Sequence, residues 1–476
     1  MKLKKILALG LTGLLATSVL AGCGKSEAKS NNGVVTLKWY TIGQEPKDLS
    51  LVEAEANKYL EEKLGVNIDM NFIDYGDYTQ KMSVIMNTGE NFDLAFVSSW
   101  AGDYLGNARK GAFLELDQYL DNQGKDMKAA IDERFWDGAK VDGKTYAVPN
   151  QKEISTAPMW AFTKEYVDKY NIPYQDIKTL EDLEPWLKLI KEKEPDVVPF
   201  YITKGFSAPQ YFDQLVDPIG VEYGQKDLTI KNMFETEKMK STLDTLTRYY
   251  KLGYINADAA TAQDDKTVKR FVTKGDGQPY ADVLWSKSLK YDVVATQMMD
   301  AYITNASTTG SMIGVSRNSK NPEKAVEFLN LLNTDKYLRN LINYGIEGTH
   351  YERVKEGQIK LNERGLKDYN VGYYTLGNLF ITDVLHNEPL TKWDEFKEFN
   401  DKAKESPALG FKFDTKKVSN EIAAINNVLE EYKATLYSGS VDNKEYVEKL
   451  NKKLKEQGLD KVIAEMQSQI DAWAKK

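Results

Sequence analysis

At 476 residues the chain is longer than one hydrophobic core ordinarily serves, so at least two domains are expected. A formal net charge of −8 disfavours binding nucleic acid, where affinity rests on Lys and Arg neutralising phosphates. A single cysteine excludes an internal disulfide and any thiolate metal site, and the two histidines, His350 and His386, cannot form a His-x-x-x-His pair. Walker, Gly-x-Gly-x-x-Gly, Gly-x-Ser-x-Gly and EF-hand signatures are absent, so neither a cofactor nor a metal is expected. Carboxylates are too plentiful for a catalytic acid pair to be recognised or excluded by sequence.

The chain opens with Lys2, Lys4 and Lys5, then an apolar run from Ile6 to Leu20, then Leu20-Ala21-Gly22-Cys23. Small residues before a cysteine, after a basic and then an apolar segment, form a bacterial lipobox. Residues 1–22 are thus expected to be removed as a signal peptide and Cys23 to carry the lipid, anchoring the protein on the outer face of the cell membrane. Cleavage removes three lysines and no acid, taking the net charge to −11. Residues 23–33 are polar and lack aromatics, which suits a flexible tether.

Alternating elements follow. Val35, Leu37 and Trp39 alternate with polar residues and predict a strand. Ser50-Leu51-Val52-Glu53 reads as a capping box, after which Val52, Ala56, Leu60 and Leu64 mark a helix face that ends at Gly65. Val66, Ile68, Met70 and Phe72 predict a second strand. Tyr78, Met82, Ile85 and Met86 predict a second helix, closed by Gly89. Leu94–Val97 is an apolar run suited to a strand covered on both faces. This βαβαβ order implies a parallel sheet whose ligand lies beyond the strand carboxyl ends. The rule selects the loops 40–44, 74–76 and 98–100, and within them Tyr40, Gln44 and Trp100. Further on, Phe162–Tyr170, Leu180–Glu192 and Met239–Tyr250 are expected to be helical, and Asn321-Pro322-Glu323 starts another helix. Three helices close the chain, carrying Ile425, Leu429 and Leu436, then Leu450 and Leu454, then Val462, Met466 and Trp473.

Several segments resemble a family. The lipobox, Asn87–Leu94, Lys110–Asp117, Asp142–Pro149 and Ser319–Leu329 are similar to family 1 extracellular solute-binding proteins. Asn343–Tyr351 and the helical tail after Tyr373 resemble the LplA-like lipoprotein branch. The resemblance implies an α/β fold of the type II, two-lobed periplasmic-binding-protein kind with an added C-terminal helical region. It places one lobe at residues 34–150 and 296–346 and the other at 151–295 and 347–476. It also implies a carbohydrate cargo, ABC permease subunits as partners, and a monomeric protein without catalytic activity. Asn150, Lys152 and Glu153 would lie on the first crossing between lobes. Trp285 would be a stacking aromatic or core packing. Phe206, Tyr211 and Asp213 would face the cleft from the second lobe or lie on a surface loop, and Asn305 would line the returning segment. Glu347 and His350 read as a structural hydrogen-bond cluster. The 28 Tyr and 8 Trp suit sugar, because each offers flat apolar area with one polar handle. An exported glycoside hydrolase, a peptide-binding protein and a sensory lipoprotein are the rival readings.

Overall fold

The computed structural model describes residues 33–225 and 227–475, so the expected signal segment and Cys23 lie outside the described residues. Nine strands build two main sheets: β1 Val35–Ile42, β2 Val66–Ile73, β3 Leu94–Val97, β4 Ala147–Pro149, β5 Ala157–Thr163, β6 Val198–Phe200, β7 Arg270–Gly277, β8 Val293–Gln297 and β9 Met312–Val315. The first sheet has the order β2-β1-β3-β9-β4 and the second β8-β5-β7-β6. Each sheet is the centre of one lobe.

The N-lobe is built as its periodicity dictates. β1 is parallel to both β2 and β3. Helix Leu49–Leu64 lays Val52, Ala56 and Leu60 on the sheet and ends at Gly65, whose φ of 66° lets its N–H return to the helix carbonyls. The expected capping box does not form, and the helix begins one residue before Ser50. Glu53 instead accepts from the Met70 N–H (2.5 Å), drawn to β2 by an otherwise buried backbone donor. The Asp48 carboxylate, at the N-cap position, is taken by Arg364 (2.6 Å) and His350 (3.3 Å). His350 is buried and also accepts from the Ile346 N–H (2.9 Å), which is a structural role. Glu347 pairs with Arg353 (3.1 Å).

In the C-lobe, the helix expected from Phe162 starts at Lys164. Residues 157–163 form β5, paired on both edges, with Trp160 and Phe162 wholly buried. The first two segments to cross between lobes are 150–156 and 298–311. The second crossing therefore falls later than 296, because Gln297 is still paired with Met159 in the C-lobe sheet. The expected boundary at 347 also moves. Tyr369, Val371, Leu376 and Ala403 bury themselves in the N-lobe core, and the chain joins the C-lobe core only from Ala408.

Helices Ser419–Ser438, Asn443–Glu456 and Leu459–Trp473 form the C-terminal extension. Their inner faces share one core with the C-lobe helices Leu180–Lys193 and Glu237–Lys251. No described helix is long and apolar enough to cross a membrane. Gly439 ends the first helix of the extension at φ 72°, and a Cβ there would stand 2.2 Å from the Leu246 carbonyl oxygen. Both the left-handed backbone and the close approach require glycine. Gly439→Ala is expected to lower stability by at least about 1–2 kcal/mol, read as a fall in the midpoint of urea unfolding.

Candidate functional site

The carboxyl ends of β1, β2 and β3 open toward the crossings, and there the N-lobe presents an aromatic wall. Trp100, just beyond β3, is 54% exposed, and its indole N–H donates to the Gly310 carbonyl (2.8 Å). A turn holds it in place, with Ser98 Oγ accepting from the Ala101 N–H (2.8 Å). Tyr374 lies 6.4 Å from Trp100, centroid to centroid, and 6.2 Å from Phe96 beneath. Its hydroxyl donates to the Tyr75 hydroxyl (2.9 Å). Burial, then that hydrogen bond, pushes the Tyr374 hydroxyl pKa up, so it stays a neutral donor. Tyr373 stands perpendicular to Tyr374 at 5.9 Å. Tyr75 and Tyr373 are 51% and 42% exposed. Four rings from three distant segments thus form a surface with flat apolar area and polar tips.

Two cavities lie at the crossings. The polar one, about 370 Å³, lies between the crossings (Ser155–Pro158, Met299–Ser307) and C-lobe residues Ser207, Gln210, Lys274 and Asp276. Lys274, its side chain buried, pairs with Asp276 (3.0 Å). The apolar one, about 500 Å³, has Glu153 from the first crossing, Tyr280, Val283 and Leu284 from the C-lobe, and Leu366, Tyr369 and Tyr373 from the N-lobe side. Tyr280 reaches across it, donating to Glu395 (2.6 Å), and adopts a φ of 68° that a non-glycine residue rarely takes. A cavity of about 1320 Å³ also exists, beside the β4 edge and the segment 404–416. Its lining includes Arg109 and Asp142 of the N-lobe, Tyr302 of the second crossing and Gly224 and Phe411 of the C-lobe.

Residues 43–338 match the family described as bacterial extracellular solute-binding protein. The chain belongs to that family. Residues 407–475, the extension, match a domain of unknown function (DUF3502). A carbohydrate ABC transporter substrate-binding protein of Streptococcus pneumoniae is 36% identical over 475 residues, covering 97% of this chain and 96% of that protein. Lipoprotein LipO of Bacillus subtilis is 25% identical over 74% of this chain and 75% of its own length. The N-glycan transport solute binding protein NgtS of S. pneumoniae superposes with a TM-score of 0.85 at 36% identity, over 93% of this chain and 99% of that one. Its complexes with Man1GlcNAc and Man5GlcNAc superpose with TM-scores of 0.72 and 0.67. Identities there are 35% and 36%, over 93% and 92% of this chain and 100% and 98% of those.

Within this solute-binding protein the sequence-expected residues take several positions. Trp100 stands in the wall, and Gln44 is exposed in the loop after β1. Glu153 lines the apolar cavity and accepts from Lys152 (2.9 Å). Tyr40 is buried in the N-lobe core, against Phe92, with its hydroxyl donating to Glu90 (2.7 Å). Asn150 is buried and wholly bonded within the protein: it donates to Ser311 Oγ (2.9 Å) and the Tyr374 carbonyl (2.6 Å) and accepts from the Gly377 N–H (2.9 Å). Asn305 is likewise occupied, by the Ala408 carbonyl and the Gly410 N–H, each at 2.8 Å. Phe206 packs edge-on against Phe200, and Tyr211 lies under the Lys238 ammonium. Trp285 turns inward over Gly275 and Gly277, where a Cβ would meet its ring at 2.6 and 3.1 Å. Its neighbours Val283 and Leu284 face the cavity instead. Tyr75, Tyr280, Tyr373 and Tyr374 were not selected individually by sequence, although the loop 74–76 was.

Asp213 is buried and accepts from Ser406 Oγ. Near it, Lys412 donates to the Gly138 carbonyl (2.5 Å) and Asn305 Oδ1 (3.2 Å), joining the N-lobe to the second crossing. Burial raises the Asp213 pKa to about 6 and lowers that of Lys412 to about 7. Between about pH 4 and 6 the native state then binds more protons than the unfolded chain, and the Asp213 contribution falls as pH rises. Between about pH 7 and 10 the unfolded chain binds more through Lys412, so stability rises with pH. Lys412→Met is expected to abolish that upper rise, measured as urea midpoints across pH 7–10.

Proposed function

We propose that this protein captures an oligosaccharide between its lobes and delivers it unaltered to an ABC permease. The observation that carries this reading is the exposed wall of Tyr75, Trp100, Tyr373 and Tyr374, bonded through Trp100 to the second crossing, other residues of which line the polar cavity. Pyranose rings have an apolar C–H face that stacks on such rings and a rim of hydroxyls that needs hydrogen-bonding partners. Lys274, Asp276 and Gln210 supply partners of that kind. The mannose–N-acetylglucosamine ligands of the pneumococcal relative support a cargo of the same class.

The lobes close on the ligand as hinged bodies. The superposition with NgtS is poorer for both glycan complexes at nearly unchanged identity and coverage, which is what a rotation between similar lobes produces. A ligand favours the closed arrangement only through contacts that the open one lacks, so both lobes must touch it. The protein acts as a monomer without catalysing a reaction, held on the extracytoplasmic face of the membrane by the lipid on Cys23. The similarity to a lipoprotein of B. subtilis agrees with that anchor.

A thermal-shift and calorimetric screen over mannose–N-acetylglucosamine oligosaccharides is expected to give micromolar binding, about −8 kcal/mol, with no release of new reducing ends. Trp100→Ala is expected to weaken it by at least about tenfold, since stacked rings contribute on the order of 1 kcal/mol or more beyond area burial. A peptide that raises the melting temperature where no glycan does would overturn the cargo assignment. For the anchor, the protein made in a bacterial host is expected in the detergent phase in Triton X-114 partition, and a form beginning at Gly24 in the aqueous phase.

A further inference from the structure

The apolar cavity holds side chains that stacking on sugar rings does not explain. Val283 and Leu284 are each 56% exposed on the C-lobe helix Ala281–Leu289, and Leu366 is 66% exposed on the facing side. On that helix Ala281 and Trp285 are the positions that pack inward, so the core does not require branched aliphatics at 283 and 284. Three large apolar side chains exposed around one interlobe cavity, with Tyr373 beside them, point to a ligand rather than to scattered surface residues. Their ends are not flat. They suit a methyl group better than a pyranose face. The polar group at the same cavity is the Glu153 carboxylate, steadied by Lys152 and chemically able to accept an amide N–H.

We infer that this cavity is a subsite for the acetamido group of an N-acetylated sugar, its methyl set among Val283, Leu284 and Leu366 and its N–H directed to Glu153. The inference rests on the oligosaccharide-capture reading and adds to it the group that sets specificity.

The test is calorimetry on the intact mature protein with two disaccharides, mannosyl-N-acetylglucosamine and mannosyl-glucose, which differ only in acetamido against hydroxyl at one carbon. The acetamido sugar is expected to bind about 10- to 100-fold more tightly, the range for one small apolar group in an apolar pocket. The double variant Val283→Ser, Leu284→Asn is expected to bring that ratio toward one. Both positions are exposed, and an unchanged melting temperature confirms that the variant is folded. Equal affinities, a preference for the hydroxyl sugar, or an undiminished ratio in the variant would overturn the subsite while leaving sugar capture standing. A mannosyl-6-deoxyglucose that matches the acetamido sugar would overturn the acetamido assignment, since its methyl carries no amide. Failure of both disaccharides and of every other glycan would overturn the subsite and the capture reading together.

Discussion

The aromatic wall stands where it does because Asn150 is buried and its side chain is bonded on both its donor and its acceptor atoms. One amide joins the first crossing to Ser311 at the end of the second crossing, and to the Tyr374 carbonyl and Gly377 N–H on the returning loop. The Asn150 N–H itself donates to the Ser311 carbonyl (3.0 Å). Ser311 Oγ in turn donates to the Tyr374 carbonyl. Removing any partner would leave a buried polar group unsatisfied, at about 1–3 kcal/mol. Tyr374 is thereby fixed relative to both crossings, and Trp100 is fixed to the same place through Gly310. The wall is therefore preorganised, and a ligand need not order it on binding.

Much of the N-lobe was legible because its signals are local. The alternation in 66–72, the 3,4 spacing in 52–64 and the glycines at 65 and 89 each report on their own few residues, and the structure follows them. The site was less legible, because it is assembled across the chain. Nothing near Tyr373 or Tyr374 announces that these rings will meet Trp100, over 270 residues earlier. A tyrosine pair between Gly372 and Gly377 was the available signal. Asn150 and Asn305 were expected to meet the ligand from the crossings, yet a polar residue between two lobes can bond to a ligand or within the protein. Here both are bonded within the protein. Trp285 shows the complementary ambiguity. Large aromatics attract attention in a sequence, but helix geometry turned this one onto Gly275 and Gly277 and left its aliphatic neighbours facing the cavity.

The lobe boundaries moved for a related reason. Residues 347–403 follow the N-lobe in sequence and remain on it in space, since Tyr369, Val371 and Leu376 find their apolar partners there. The extension then crosses to the C-lobe, tied on the way by Asn305, Lys412 and Ser406. The chain thus connects the lobes a third time, through 404–413. Three connections restrict the relative motion of two bodies more than two do. Asp213 and Lys412 sit at that third connection, bonded to Ser406 and to Gly138 and Asn305 respectively.

Closing without a ligand would bring apolar Tyr373 and Leu366 toward Val283 and Leu284, which by itself is favourable. The same movement would take the Lys274–Asp276 and Lys152–Glu153 pairs further out of water, and desolvating an ion pair costs free energy that its own attraction need not repay. A sugar alters that balance at both places. A pyranose has an apolar ring face suited to the apolar side and hydroxyls able to hydrogen-bond the charged side. A purely apolar ligand would meet the first need and worsen the second, and a small anion would do the reverse. The juxtaposition of an aromatic wall with charged groups therefore selects for ligands that are amphipathic on the scale of a single ring, which is the distinguishing chemistry of a pyranose.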